Sequence, residues 1–189
     1  MNQILVETSA RHIHLTEKAV EILFGAGHTL TKKKDLSQPG QFACEEKVEV
    51  VGPKGCLKLS VLGPTRPENQ VELSFTDART LGVTAPVRES GDIAGTPGIL
   101  LKGPAGELTI ENGVIIAKRH IHLTPETAAE FGVVDKQIVK VKISGTGRAT
   151  IFDDVVIRVK STFAPAMHID TDECNAAAAF GKVYGEILL

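Results

Sequence analysis

The chain has 189 residues, a net charge of −2, 42% hydrophobic residues and no tryptophan. That hydrophobic share can fill a core of Val, Ile, Leu and Ala, and the near-neutral charge lacks the basic footprint expected of a nucleic-acid binder. No apolar run approaches the ~18 residues of a membrane span, and the three cysteines, Cys44, Cys56 and Cys174, are odd in number, far apart and without a CxxC pair, which favours reduced thiols over a disulfide framework.

In chain order, the opening MNQILVETSA has neither a basic region nor a long apolar stretch, so no signal peptide is expected and the protein reads as soluble and intracellular. RHIHLT follows at residues 11–16 and returns letter for letter at 119–124, carrying four of the six histidines. Each copy runs into a short helix. Thr16 precedes EKAVEILFG and Thr124 precedes PETAAEFG; Thr is a good N-cap, Pro125 suits the first helical position, and Gly25 and Gly132 are natural stops. The run Lys32-Lys33-Lys34 reads as a solvated loop that can also meet a phosphorylated ligand.

KVEVVGPKGCLKLSVLG gives two strands around a Gly-Pro-Lys-Gly turn. VELSFTDARTLG predicts a helix capped by Thr76 or Asp77. The glycine-rich RESGDIAGTPG, near residues 88–98, joins strands or frames a site. GILLKGPAGELTIENGVIIAKRHIHL is a strand series broken at Gly103-Pro104 and Asn112-Gly113. QIVKVKISGTGRATIFDDVVIRVK gives three strands, with turns at Gly145–Gly147 and at Asp153-Asp154. HIDTDECNAAAAFG predicts a last helix, capped by Thr171 or Asp172. Regular short strands with few helices predict a mainly β fold of two small barrels with short helical caps.

In an extended segment alternate side chains share a face, so His12 and His14 point together, as do His120 and His122. Two imidazoles so placed can hold one divalent ion. Aligning the second helix junction of each half sets Glu72 against His168, which makes His12, His14 and Glu72 one candidate ligand set and His120, His122 and His168 another. Three ligands with an open position is the pattern of catalytic zinc, and the absence of thiolate leaves Co²⁺ or Mn²⁺ as alternatives. In GPTRPENQVE, Arg66 lies six residues before Glu72 and is a candidate anion binder, with Arg79 and Arg88 weaker ones. His28 reads as exposed or ligand-contacting, and Cys174 as buried rather than catalytic.

Together the two RHIHL copies, LTKKKDLSQPGQFACEE, GPTRPENQVELSFTDARTLG and APAMHIDTDECNAAAAFG resemble the propanediol-utilisation-type phosphotransacylase family (PduL, phosphate propanoyltransferase), over essentially the whole chain. The resemblance implies an enzyme that converts a short-chain acyl-CoA and phosphate into acyl phosphate and coenzyme A. It implies two β-barrel domains, residues 11–117 and residues 1–10 with 118–189, an active site at their junction with two Zn²⁺ per chain, and a homodimer. The family's metal ligands fall on His12, His14, Glu72, His120, His122 and His168, and its phosphate-binding arginine falls on Arg66. On chemical grounds the first metal is expected to take the CoA sulfur and the second to bind phosphate with Arg66. Lys32, Lys33 and Lys34 are candidates for the CoA phosphates. Family members packaged in microcompartments carry an N-terminal extension; with Met1 only ten residues before Arg11, a cytoplasmic location is expected. A dinuclear zinc hydrolase and a non-catalytic metal-binding β-barrel module are the alternatives.

Overall fold

The computed structural model describes residues 3–189. In chain order these form β1 (Gln3–Thr8), β2 (His12–His14), α1 (Glu17–Phe24), β3 (Lys32–Asp35), β4 (Phe42–Val51), β5 (Cys56–Gly63), β6 (Gln70–Leu73), α2 (Phe75–Leu81), β7 (Val87–Arg88), β8 (Ile99–Lys102), β9 (Glu107–Ile110) and β10 (Val114–Ala117). The chain continues through β11 (His120–Leu123), α3 (Pro125–Phe131), β12 (Ile138–Ile143), β13 (Thr150–Val159), β14 (Ala166–Ile169), α4 (Thr171–Ala177) and β15 (Val183–Leu188). The fold is mainly β, as the strand spacing predicts, and it divides into two compact units.

One unit comprises the chain up to Ala10, Ser37–Pro39 and Lys118–Leu189. Its strands close into a barrel in the order β1-β14-β11-β13-β12-β15. Alternation along each strand sends Ile4, Val6, Ile121, Leu123, Val141, Ile143, Val155, Ile157 and Met167 into one core. Gln38 is stitched to this unit: its amide donates to the Ala164 carbonyl (2.9 Å) and accepts from the Ala164 N–H (3.2 Å).

The other unit comprises Arg11–Leu36 and Gly40–Ala117. It is a curled, nine-stranded half-barrel ordered β7-β10-β6-β2-β5-β4-β8-β9, with β3 added beside β4. Ile13, Leu15, Leu23, Leu59, Val61, Val71 and Leu81 are its fully buried centre, each large aliphatic contributing roughly 1.5–3 kcal/mol. Two Gly-Pro-x-Gly hairpin turns receive the C-terminal ends of helices. Lys54 N–H donates to Leu81 O and Ala105 N–H to Leu23 O, each at 3.0 Å. A Cβ on Gly52 or Gly103 would lie 2.2 Å from the same carbonyls, so only glycine permits the approach.

Thr16 and Thr124 cap α1 and α3 as expected. The other two caps differ from expectation. Ser74 caps α2 and Asp170 caps α4, with Asp77 and Glu173 reaching back from the third helical position as capping boxes. A carboxylate three residues into the helix can accept the cap residue's N–H, so the earlier Ser or Asp takes the cap. The expected turn at Asp153-Asp154 is a bulge instead: β13 runs on through it, with Asp154 at φ +55° and the register slipping against β12. Lys32–Lys34 lie on β3, an exposed strand paired with β4, rather than in a loop.

Candidate functional site

β2 and β6 are antiparallel neighbours that place His12 opposite Glu72, Ile13 opposite Val71 and His14 opposite Gln70. The pleat therefore turns His12, His14, Gln70 and Glu72 to one face, while Ile13 and Val71 fill the core on the other. His12 Nε2 lies 3.4 Å from Glu72 Oε2 and His14 Nε2 lies 3.9 Å from Oε1. One donor atom from each of the three residues falls within 4.8 Å of the others. All three side chains are buried, and the two rings meet edge to face at 4.9 Å.

Burial works against charge on Glu72, but His12, by charge and hydrogen bond, and then His14 outweigh it and hold the carboxyl below the usual carboxylate range. Burial also lowers His14, to about 3, with the charges of His12 and Arg66 adding and Glu72 and the Leu62 backbone opposing. At neutral pH His14 is thus an uncharged imidazole with a lone pair to give.

A hydrogen-bond network backs the carboxylate. Glu72 Oε1 accepts from Gln70 Nε2 (2.6 Å) and from Ser90 Oγ (2.9 Å). Ser90 Oγ in turn accepts from Gln70 Nε2 (2.8 Å) and from Arg66 Nη1 (3.3 Å). Gln70 Oε1 accepts the Gly91 N–H (2.7 Å), and the Arg66 N–H is tied to the Leu15 carbonyl (2.9 Å). Arg66 therefore sits in one network with Glu72.

The second histidine set is built on the same register. In β11 and β14, His120 faces His168, Ile121 faces Met167 and His122 faces Ala166. Ring centroids lie 4.7 Å apart for His120–His122, 5.0 Å for His122–His168 and 5.2 Å for His120–His168. His120 Nδ1 donates to the Lys118 carbonyl at 2.8 Å, because a carbonyl only accepts, and this fixes the ring's orientation. His122 is lowered to about 2, by burial first and then by the charges of His120, His168 and Arg158. Its Nδ1 is buried and makes no hydrogen bond.

This donor chemistry fits a divalent ion of zinc type. The neutral imidazoles of His14 and His122 and the anionic carboxylate of Glu72 lie on these strand faces, and a buried imidazole nitrogen without a hydrogen bond, such as His122 Nδ1, costs ~1–3 kcal/mol unless something takes its lone pair. The linkage has a testable sign. Both depressed histidines refuse protons that the unfolded chain takes up near its ordinary pKa of 6.5. Their contribution is fully present above pH ~6.5 and is lost as pH falls toward 3, at up to ~1.4 kcal/mol per pH unit per imidazole. Thermal unfolding of metal-free protein should show a midpoint dropping steeply from pH 6.5 to 4, and His122→Gln should flatten that dependence; a flat wild-type profile would contradict the assignment.

The remaining candidates are placed as follows. Lys32 Nζ bonds Asp35 (2.7 Å) and Lys33 Nζ approaches Glu45 (3.4 Å). Arg88 pairs with Asp92 at 3.1 Å. Asp77 pairs with Arg11, at 2.9 Å, so Arg11 reaches round its strand to hold α2. His28 is half-buried and bonds Glu46 at 2.8 Å. Cys174 is buried, its thiol donating to Ala179 O.

Four residues join the candidate site that sequence reasoning passes over. Gln70 carries a readable signal, a polar residue two before Glu72 on a short strand. Arg158 faces His122 across β13 and β11 and lies over Phe163, whose ring packs on His122 at 4.2 Å. Glu7 faces His168 from β1, its carboxylate 3.9 Å from His168 Nε2 and held by the Ser37 hydroxyl. Ser90 lies in the glycine-rich segment read as joining strands or framing a site, but nothing in that segment singles out the serine.

Fold and site together define a mainly β protein with two histidine clusters on equivalent strand pairs, one of them completed by a carboxylate and networked to an arginine. A family model described as phosphate propanoyltransferase matches residues 5–180, and the chain belongs to that family. The phosphate propanoyltransferase of Thermotoga maritima is 57% identical over 175 residues, 92% of this chain and 83% of its own. That of Enterococcus faecalis is 53% identical over 188 residues, 99% and 89% of the respective chains. That of Clostridioides difficile is 55% identical over 174 residues, 92% and 83%. Among the described residues no helix is long and apolar enough to cross a membrane.

Proposed function

We propose that this chain is a zinc-dependent phosphate acyltransferase that interconverts a short-chain acyl-CoA and phosphate with acyl phosphate and coenzyme A. The observation that supports the reading is the network Arg66–Ser90–Glu72, which couples the Arg66 guanidinium to the carboxylate of the His12, His14 and Glu72 donor cluster. His12, His14 and Glu72 would hold one Zn²⁺, and His120, His122 and His168 a second. Bound there, zinc supplies Lewis acidity for the carbonyl oxygen and for the departing thiolate.

The chain's own groups do the rest. In the forward direction a phosphate oxygen forms a bond to the thioester carbon and the carbon–sulfur bond breaks, the sulfur leaving as thiolate. Arg66 offers paired donors that fit two phosphate oxygens, leaving a third to attack. Ser90 and the Leu15 carbonyl steady that side chain and its backbone. An acyl-cysteine route lacks an activated thiol: burial and then Glu46 push Cys44 up to about 11, Glu49 raises Cys56, and Cys174 is buried against Ala179 O. Lys32, Lys33 and Lys34 are proposed to meet the CoA phosphates from an exposed strand. The proposed holoenzyme is a homodimer in the cytoplasm, where its three free thiols would stay reduced.

The test follows CoA release from acetyl-CoA and propanoyl-CoA with and without phosphate. Release that requires phosphate, with acyl phosphate formed in equal amount, is expected. Release at the same rate without phosphate would make the protein a thioesterase or other hydrolase, and no release from zinc-loaded protein would leave only a metal-binding module.

A further inference from the structure

Gln70 is buried and spends its whole side-chain amide on the carboxylate and the segment behind it. Nε2 donates to Glu72 Oε1 at 2.6 Å and to Ser90 Oγ at 2.8 Å, while Oε1 accepts the Gly91 N–H at 2.7 Å. This pattern fixes the amide's direction: flipped, its oxygen would face the Glu72 carboxylate and its NH₂ would face the Gly91 N–H. Gln70 and Ser90 both donate to Oε1 of Glu72. Oε2 lies 3.4 Å from His12 Nε2, whereas Oε1 lies 3.9 Å from His14 Nε2.

The equivalent strand pair sharpens the point. There Ala166 stands opposite His122 where Gln70 stands opposite His14, and His168 takes the place of Glu72. An imidazole has one further nitrogen, which a single backbone carbonyl can satisfy, as Lys118 does for His120. A carboxylate has a second oxygen and a broad terminal torsion, so it can turn or chelate through both oxygens unless one is held. The amide is present where the candidate ligand is a carboxylate and absent where it is an imidazole.

We propose that Gln70 is a positioning residue that, with Ser90, engages Oε1 of Glu72 and leaves Oε2 as the oxygen offered to a divalent ion on His12 and His14, while anchoring Ser90 and Gly91 behind it. This rests on reading His12, His14 and Glu72 as a metal set. Uniform burial of a polar side chain for packing alone would need no donor aimed at a ligand oxygen at 2.6 Å.

The test uses full-length protein, with zinc affinity measured by competition against a chromophoric chelator and the Co²⁺-loaded absorption spectrum as a second readout. Gln70→Leu removes both donors at similar volume, and Gln70→Asn keeps the amide but withdraws it by one methylene, which guards against a misfolded leucine variant. Each is expected to weaken one zinc equivalent by ~10–100-fold, as loss of a partner behind a metal ligand does. Each should also alter the Co²⁺ visible bands, while the circular dichroism of the metal-free variant stays that of the folded wild type. Wild-type zinc affinity and an unchanged Co²⁺ spectrum in both variants would overturn the role of Gln70. Equal zinc binding by wild type and Glu72→Gln would instead bring down the metal reading on which it stands.

Discussion

Arg66→Ala is expected to remain folded and zinc-loaded while kcat/KM for phosphate falls ~10²–10³-fold, the size of effect seen when one preorganised donor to a developing charge is removed. The side chain is half-buried and its backbone N–H bond to Leu15 survives the substitution, so the local chain path is kept. Arg66→Lys should recover little, because an ammonium keeps the charge but cannot present paired donors to two oxygens. Steady-state rates at varied phosphate check both variants. A parallel loss for phosphate and acyl-CoA alike, with reduced zinc content, would mean that Arg66 supports the metal set through Ser90 rather than binding the anion.

Glu72→Gln should have the larger effect on metal. Shape is preserved and Ser90 still has an oxygen to reach, but the negative charge that offsets a buried cation is gone. At ~4 kcal/mol for removing one partner of a buried charge pair, zinc affinity at that set and turnover should each fall ~10³-fold. Titration of zinc into chelator-treated protein would show one equivalent bound as in wild type and one displaced to much higher concentration. Two undisturbed equivalents in the variant would exclude Glu72 as a ligand.

Much of this arrangement can be read from residue order, where the information is local. Paired imidazoles two apart, followed by Thr and an amphipathic run, specify a strand face and the helix cap after it, and both copies fold that way. Gly-Pro-x-Gly between alternating runs specifies hairpins, and β4–β5 and β8–β9 form there. Errors arise where a competing local interaction decides. Thr76 and Thr171 lose the cap to Ser74 and Asp170 because the capping boxes engage Asp77 and Glu173. Asp153-Asp154 looks like a turn, yet one residue at positive φ absorbs it as a bulge and pairing with β12 continues. The support behind Glu72 is hidden for a different reason. Ser90 is 18 residues away and meets the carboxylate only once β6 and the glycine-rich segment are folded together.

Zinc titration into chelator-treated protein, with phosphate-dependent CoA release followed at each addition, tests the central claim most directly. The account predicts negligible release without metal, a rise that saturates at two ions per chain, and no release at any zinc level when phosphate is omitted. Full turnover by the metal-free protein, or release that ignores phosphate, would contradict it.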